Sequence, residues 1–148
     1  MKLLFICAGN TCRSPMAEAI ANYLIQSRGL DMTCQSRGLV AELDYPASEE
    51  ARMVCAAHFL NLCAHRSRPL QEADLALADH VYTMTRSHCD MLRAQYAYMA
   101  DKIDCFPKDV EDPWGQGLAA YDATYTQLVN AIMALPLFVQ AEICREDC

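Results

Sequence analysis

A chain of 148 residues with 53% hydrophobic and 21% charged residues buries a core of its own, which excludes intrinsic disorder and reads as one domain over 1–148. Its formal net charge of −7 excludes partners held by a bulk positive field, so neither nucleic acid nor an anionic membrane is expected, although one local cradle of N–H groups still accepts an anion. The nine cysteines are odd in number and irregular in spacing, so they form no disulfide framework; most read as small buried hydrophobes suited to a reducing cytoplasm.

In chain order, the apolar run Leu3-Leu4-Phe5-Ile6 reads as a short buried strand. It is too short for a secretory leader, and Ile6 is not the small residue that a cleavage site needs. No run reaches the length of a membrane span. Cys7-Ala8-Gly9-Asn10-Thr11-Cys12-Arg13-Ser14-Pro15 follows as a turn into a helix, with Ser14 expected as N-cap and Pro15 at the first helical position. A turn of this kind aims successive backbone N–H groups inward beside the positive end of a helix. Arg13 adds a planar fork that fits two phosphate oxygens. Cys7 then lies where a bound phosphorus atom is attacked, and the positive field of Ala8 to Arg13 favours its thiolate form.

The helix is expected from about Pro15 to Arg28, with Met16, Ile20, Tyr23 and Leu24 on one face and Gly29 ending it. A second strand follows around Met32–Ser36, then a loop from Leu39 to Tyr45. A helical stretch covers Ala47 to Leu62, with Ala51, Val54, Cys55, Phe59 and Leu62 on one side. Cys63 to Leu70 is a polar connection, and Gln71 to Ala78 is a short helical turn or a loop. His80 to Met84 is the third strand. A helix over Thr85 to Tyr98 follows, with Thr85 as a cap. Lys102 to Phe106 is the fourth strand, Pro107 to Gly117 a loop, and the rest is helical with a kink or split at Pro136. Tyr121, Tyr125, Leu128 and Ile132 are in step on that last stretch. Strands alternating with helices predict a parallel α/β sheet covered on both faces.

The N-terminal motif, with Asn10 inside it and Ser14-Pro15 behind it, resembles that of the low-molecular-weight protein tyrosine phosphatase family, and Asp112-Pro113 resembles the family's late Asp-Pro pair. The resemblance spans essentially the whole chain. It implies a single three-layer domain with a four-stranded parallel sheet in the order 2-1-3-4 and the phosphate loop after strand 1. It implies a phosphatase that acts through a cysteinyl-phosphate with no metal and no cofactor, takes a phosphorylated protein or peptide, and releases inorganic phosphate. Cys7 is the nucleophile, Arg13 the phosphate binder with the 8–13 backbone, and Asp112 the general acid, with Asp109 or Glu111 as alternatives. Ser14 is also a hydroxyl donor to the Cys7 thiolate. Asn10 holds the loop, supported by Ser36, from Ser36-Arg37-Gly38, and by His65. Cys12 is either a partner for a reversible disulfide with Cys7 or a packed cysteine.

Substrate choice divides the motifs. Thr11 stands where the tyrosine phosphatases usually have a bulky aliphatic residue, and Trp114-Gly115 stands where they often have a tyrosine pair. Thr11 and Met84-Thr85-Arg86-Ser87-His88 look more like the bacterial protein-arginine phosphatase branch. A smaller wall with a hydroxyl suits a guanidinium better than a flat ring, while Trp114 stacks on either. The reading therefore leans to phosphoarginine, with phosphotyrosine as the alternative. An arsenate reductase needs a relay of further cysteines, of which Cys89 is one candidate. An oxyanion-binding module would lack Cys7 or Asp112, and both are present.

Overall fold

Residues 1–146 are described in the computed structural model; Cys148, the ninth cysteine, lies outside the described residues. β1 (Lys2–Cys7) is buried from Leu3 onward, the pattern of a central parallel strand covered on both faces. β2 (Thr33–Gly38) and β3 (His80–Thr83) flank it, and β4 (Ile103–Cys105) pairs outside β3. Every pairing is parallel and the order is β2-β1-β3-β4, as the family resemblance implies.

The two-residue period of β1 divides the core. Leu3, Phe5 and Cys7 face one cluster, built with α1 (Arg13–Ser27), α2 (Glu49–Ala57), α5 (Leu118–Met133) and α6 (Pro136–Glu146). Leu4 and Ile6 face the other, with α3 (Glu72–Leu77) and α4 (Arg86–Gln95). On the first face the rings of Phe5, Tyr82 and Phe106 pack with centroids 5.8–6.4 Å apart, a spacing that adds aromatic attraction to area burial.

Several boundaries differ from the sequence reading. α1 opens one residue earlier than Ser14, with Cys12 as N-cap and no side-chain cap bond. The phosphate loop runs straight into the helix, and Met16 N–H already donates to Cys12 O at 3.2 Å. Ser14 is therefore inside the first turn rather than capping it, and Pro15 sits where its missing N–H costs nothing. Gly29, at φ +60, ends the helix as expected, with Leu30 N–H on Ile25 O. The buried stripe runs through Met16, Ala17, Ile20, Ala21 and Ile25, and Tyr23 faces out; two alanines let the helix lie close on the sheet.

α2 is shorter than expected, because Ser48 caps it by accepting Ala51 N–H at 3.3 Å and Phe59 ends it in the left-handed region at φ +64. That reversal, closed by Leu60 N–H on Cys55 O, leaves Phe59 97% exposed instead of on the buried side. β2 continues through Gly38, two residues past the expected strand end at Ser36. The stretch left open at Gln71–Ala78 forms α3, with Gln71 and Asp74 capping each other reciprocally. Thr85 caps α4 as expected, but the helix stops at Gln95 and a 3₁₀ turn over Ala97–Lys102 fills the space before β4. α5 and α6 split at Pro136, the first residue of α6, and are bent by 55°. Among the described residues no single helix is long and apolar enough to cross a membrane.

Candidate active site

The loop after β1 lies at the carboxyl end of the sheet, where the chain's neighbours diverge to β2 on one side and β3 on the other; ligands bind at such switch points in open α/β sheets. Its carbonyls are held outward in succession. Leu39 N–H donates to Cys7 O, Val40 N–H to Ala8 O, Ser48 N–H to Thr11 O and Met16 N–H to Cys12 O, at 2.8–3.2 Å. His65 Nε2 donates to Asn10 O at 2.7 Å. A trans peptide unit points its N–H opposite its C=O, so the N–H groups of Ala8, Gly9, Thr11, Cys12 and Arg13 turn toward the cleft. Asn10 N–H instead donates to Cys7 Sγ at 3.3 Å. The cleft, about 220 Å³, is lined by Cys7, Gly9, Thr11, Cys12, Arg13, Asp112 and Trp114, with the α1 N-terminus aimed at it.

A second layer fixes the loop. Asn10 is wholly buried at φ +56, a conformation that asparagine tolerates better than most residues. Its Nδ2 donates to Ser14 Oγ and to Ser36 Oγ, both at 2.9 Å, and its Oδ1 accepts Arg68 N–H at 2.9 Å. Ser14 Oγ in turn lies 2.9 Å from Cys7 Sγ, which is what its place inside the helix achieves. The expected supports Ser36 and His65 are thus both brought to Asn10.

Glu18 is the member of this layer that sequence reasoning missed. Ser36 Oγ donates to Glu18 Oε2 at 2.6 Å. Burial pushes the Glu18 carboxyl up, against the pull of the Ser36 hydroxyl and of Arg37 and Arg68. Burial pushes His65 down, helped by Arg66, Arg37 and Arg68 and opposed by the bond to Asn10. Both shifts favour the neutral forms, and the Ser36 hydroxyl at 2.6 Å is a closer partner of Glu18 than His65 Nδ1 at 3.9 Å. The available signal was Glu18's position one helical turn after Ser14 on a buried face.

Gly38 closes the layer. A Cβ there would lie 2.8 Å from Ala8 O and 3.0 Å from Asn10 Cβ, so the β2 backbone approaches the loop as only glycine allows.

Arg13 is 5% exposed; its Nη1 donates to Val110 O at 2.9 Å, and its Nη2 lies 3.9 Å from Asp112 Oδ2. The Asp112 side chain is 52% exposed and accepts Trp114 N–H at 3.1 Å, so it stands at the rim. Of the three acids considered, Asp109 is committed elsewhere, accepting Arg86 N–H at 2.9 Å, and Glu111 does not line the cleft. Thr11 forms a wall and Trp114, 67% exposed, the outer flank. Cys12 Sγ lies 3.2 Å from Tyr121 OH and 3.5 Å from Ser48 Oγ, and burial and the Cys12 contact push the Tyr121 hydroxyl up.

An anion cradle over a buried sulfur, with a carboxyl group on its rim, defines an enzyme cleft for phosphoryl transfer on an α/β sheet. The chain belongs to the low-molecular-weight protein phosphatase family, whose model, described as low molecular weight phosphotyrosine protein phosphatase, matches residues 2–146. The chain is 32% identical to a protein-arginine-phosphatase of Bacillus subtilis, over 91% of this chain and 94% of that one. It is 31% identical to the low molecular weight protein-tyrosine-phosphatase PtpB of Staphylococcus epidermidis, over 89% and 94%. Among solved structures, a low molecular weight protein tyrosine phosphatase from T. tengcongensis superposes with a TM-score of 0.84 at 40% identity, covering 89% of this chain and 95% of that one. The YwlE arginine phosphatase from Geobacillus stearothermophilus gives 0.83 at 32%, covering 97% and 96%.

Proposed function

We propose that this protein phosphatase hydrolyses phosphoarginine in proteins through a cysteinyl-phosphate on Cys7, by a metal-free mechanism in the cytoplasm. Cys7 Sγ attacks the phosphorus in line. Arg13 and the inward N–H groups of the loop hold the equatorial oxygens and gain strength as charge develops on them. Asp112 gives its proton to the departing guanidinium nitrogen, then takes one from the water that attacks the phosphorus, forming the P–O bond as the bond to Cys7 sulfur breaks. Ser14, 2.9 Å from the sulfur, stabilises the thiolate as it leaves. Inorganic phosphate is the product.

The observation that carries the arginine reading is Thr11 in the cleft wall. Its hydroxyl offers a polar group where an aliphatic wall would favour a ring, and the exposed Trp114 indole presents a face on which a guanidinium stacks. Named relatives of both kinds match at 31–32% identity, and the flat Trp114 face supports the second reading, phosphotyrosine. A cysteine relay of the arsenate-reductase type has no geometric support at Cys89, which is buried in the core cluster opposite that of Cys7. Matched peptides carrying phosphoarginine or phosphotyrosine test the reading. The expected result is a higher kcat/KM on phosphoarginine, undiminished by chelator. Preference for phosphotyrosine would replace the substrate assignment, and loss of activity in chelator restored by metal would replace the mechanism.

A further inference from the structure

We propose that Cys89, Asp104 and Cys105 form a binding site for one thiophilic divalent cation of the zinc class, at the free edge of the sheet. Cys105 ends β4, which among the described residues is the outermost strand and pairs with β3 alone. Ile103 and Cys105 face the α4 side, and Cys89 comes down from the first turns of α4 to meet them. Asp104 belongs to the opposite face, but its Oδ1 accepts Cys105 N–H at 2.8 Å, which folds the carboxylate back around the open edge. The two sulfurs and a carboxylate oxygen consequently all lie within 4.8 Å of one another.

Zinc at about 2.3 Å from sulfur and 2.0–2.2 Å from oxygen holds tetrahedral donors roughly 3.5–3.8 Å apart. The three donors thus need to close by no more than about 1.3 Å. Two thiolates select zinc over magnesium or calcium, and three protein ligands leave a fourth position for water. Asp104 and Cys105 also border a cleft of about 450 Å³ that runs on the opposite face along α5, past Gln127 and Asn130.

Binding exchanges two S–H bonds for two metal–sulfur bonds and releases two protons to solvent. The tie joins α4 to β4. Just beyond β4, Asp109 accepts the Arg86 N–H of α4 and Val110 O accepts the Arg13 guanidinium. None of the three donors lines the phosphate cleft, so turnover is expected to be the same with or without the cation, whichever phosphoresidue the enzyme takes.

Chelator-washed full chain titrated with Zn²⁺, and separately with Co²⁺, tests the site. Wild type and Cys7→Ser are expected to take one equivalent, with a thiolate-to-cobalt charge-transfer band. Cys89→Ala and Cys105→Ala lose both, and Asp104→Asn binds at least about tenfold more weakly. Should the cysteine variants not fold, Asp104→Asn, altered at an exposed side chain, carries the test: Zn²⁺ raises the wild-type Tm and raises that of Asp104→Asn less. No binding by wild type overturns the proposal. So does binding that survives Cys105→Ala and disappears in Cys7→Ser, which would place the metal in the phosphate cleft.

Discussion

Sulfur, guanidinium and carboxyl are separable groups in this cleft, and single substitutions read each one. On the proposed mechanism Cys7→Ser keeps the cradle and removes the nucleophile, so turnover of an aryl phosphate is expected to fall to background while phosphate still binds. Arg13→Lys loses the two-pronged contact and the bond to Val110 O, and activity is expected to collapse with it. Asp112→Ala slows hydrolysis of phenyl phosphate by about 10²–10⁴-fold and spares substrates with strongly acidic phenols; an equal loss on both would assign Asp112 a structural role. Thr11→Ile adds apolar surface worth roughly 1 kcal/mol to a ring at about 25 cal/mol per Å², and removes a polar partner worth about 1–3 kcal/mol to a guanidinium. The ratio of kcat/KM values is therefore expected to swing toward phosphotyrosine by more than about tenfold. If both activities move together, Thr11 is not the selector.

Between elements, the cleft depends on how closely β2 and α4 approach it. Gly38→Ala places a methyl 2.5 Å from Ala41 Cβ and 2.8 Å from Ala8 O. The loop must shift, so kcat falls and phosphate affinity falls with it, whereas a loss of stability with normal kinetics would mean that β2 yields instead. Thr85→Ala removes the α4 cap to His88 N–H and is expected to cost about 1 kcal/mol, read from the denaturant midpoint, with kcat/KM little changed because Thr85 does not line the cleft.

For the molecule as a whole, pH acts on buried groups behind the loop. His65 and His88 are both pushed down, first by burial. The unfolded chain then binds protons more readily as pH falls through about 6.5, so acidification costs stability. Glu18 is pushed up, so the folded chain takes that proton first, which offsets part of the loss as pH falls toward the ordinary carboxyl range. The urea midpoint is therefore expected to be lower at about pH 5.5 than at about pH 7.5. The difference shrinks in His65→Asn and grows in Glu18→Gln. A midpoint unchanged between the two pH values would mean that the histidines' burial is relieved before unfolding.

Read alone, the chain discloses whatever depends on near neighbours. Apolar Leu3–Ile6 must be strand, Cys7 to Pro15 must turn from strand to helix, and Asp112-Pro113 must sit on a loop, because period, proline and glycine act within a few residues. Helix ends were less legible: Ser14 has every property of a cap, yet its hydroxyl is drawn to Cys7 and Asn10, and Phe59 ends α2 where no glycine marks a reversal. The rest depends on contacts across long stretches of chain. Glu18 reaches Ser36 and His65 only because α1 packs over β2. Arg68 and His65 meet Asn10 only once the connection after α2 has folded back along Gly38. Cys89, Asp104 and Cys105 share no metal-ligand spacing, and they converge because β4 is the sheet's open edge and α4 lies across it. Hydrogen bonds and ligand geometry are satisfied in space, and residues this far apart in sequence carry no local trace of the contact they will make.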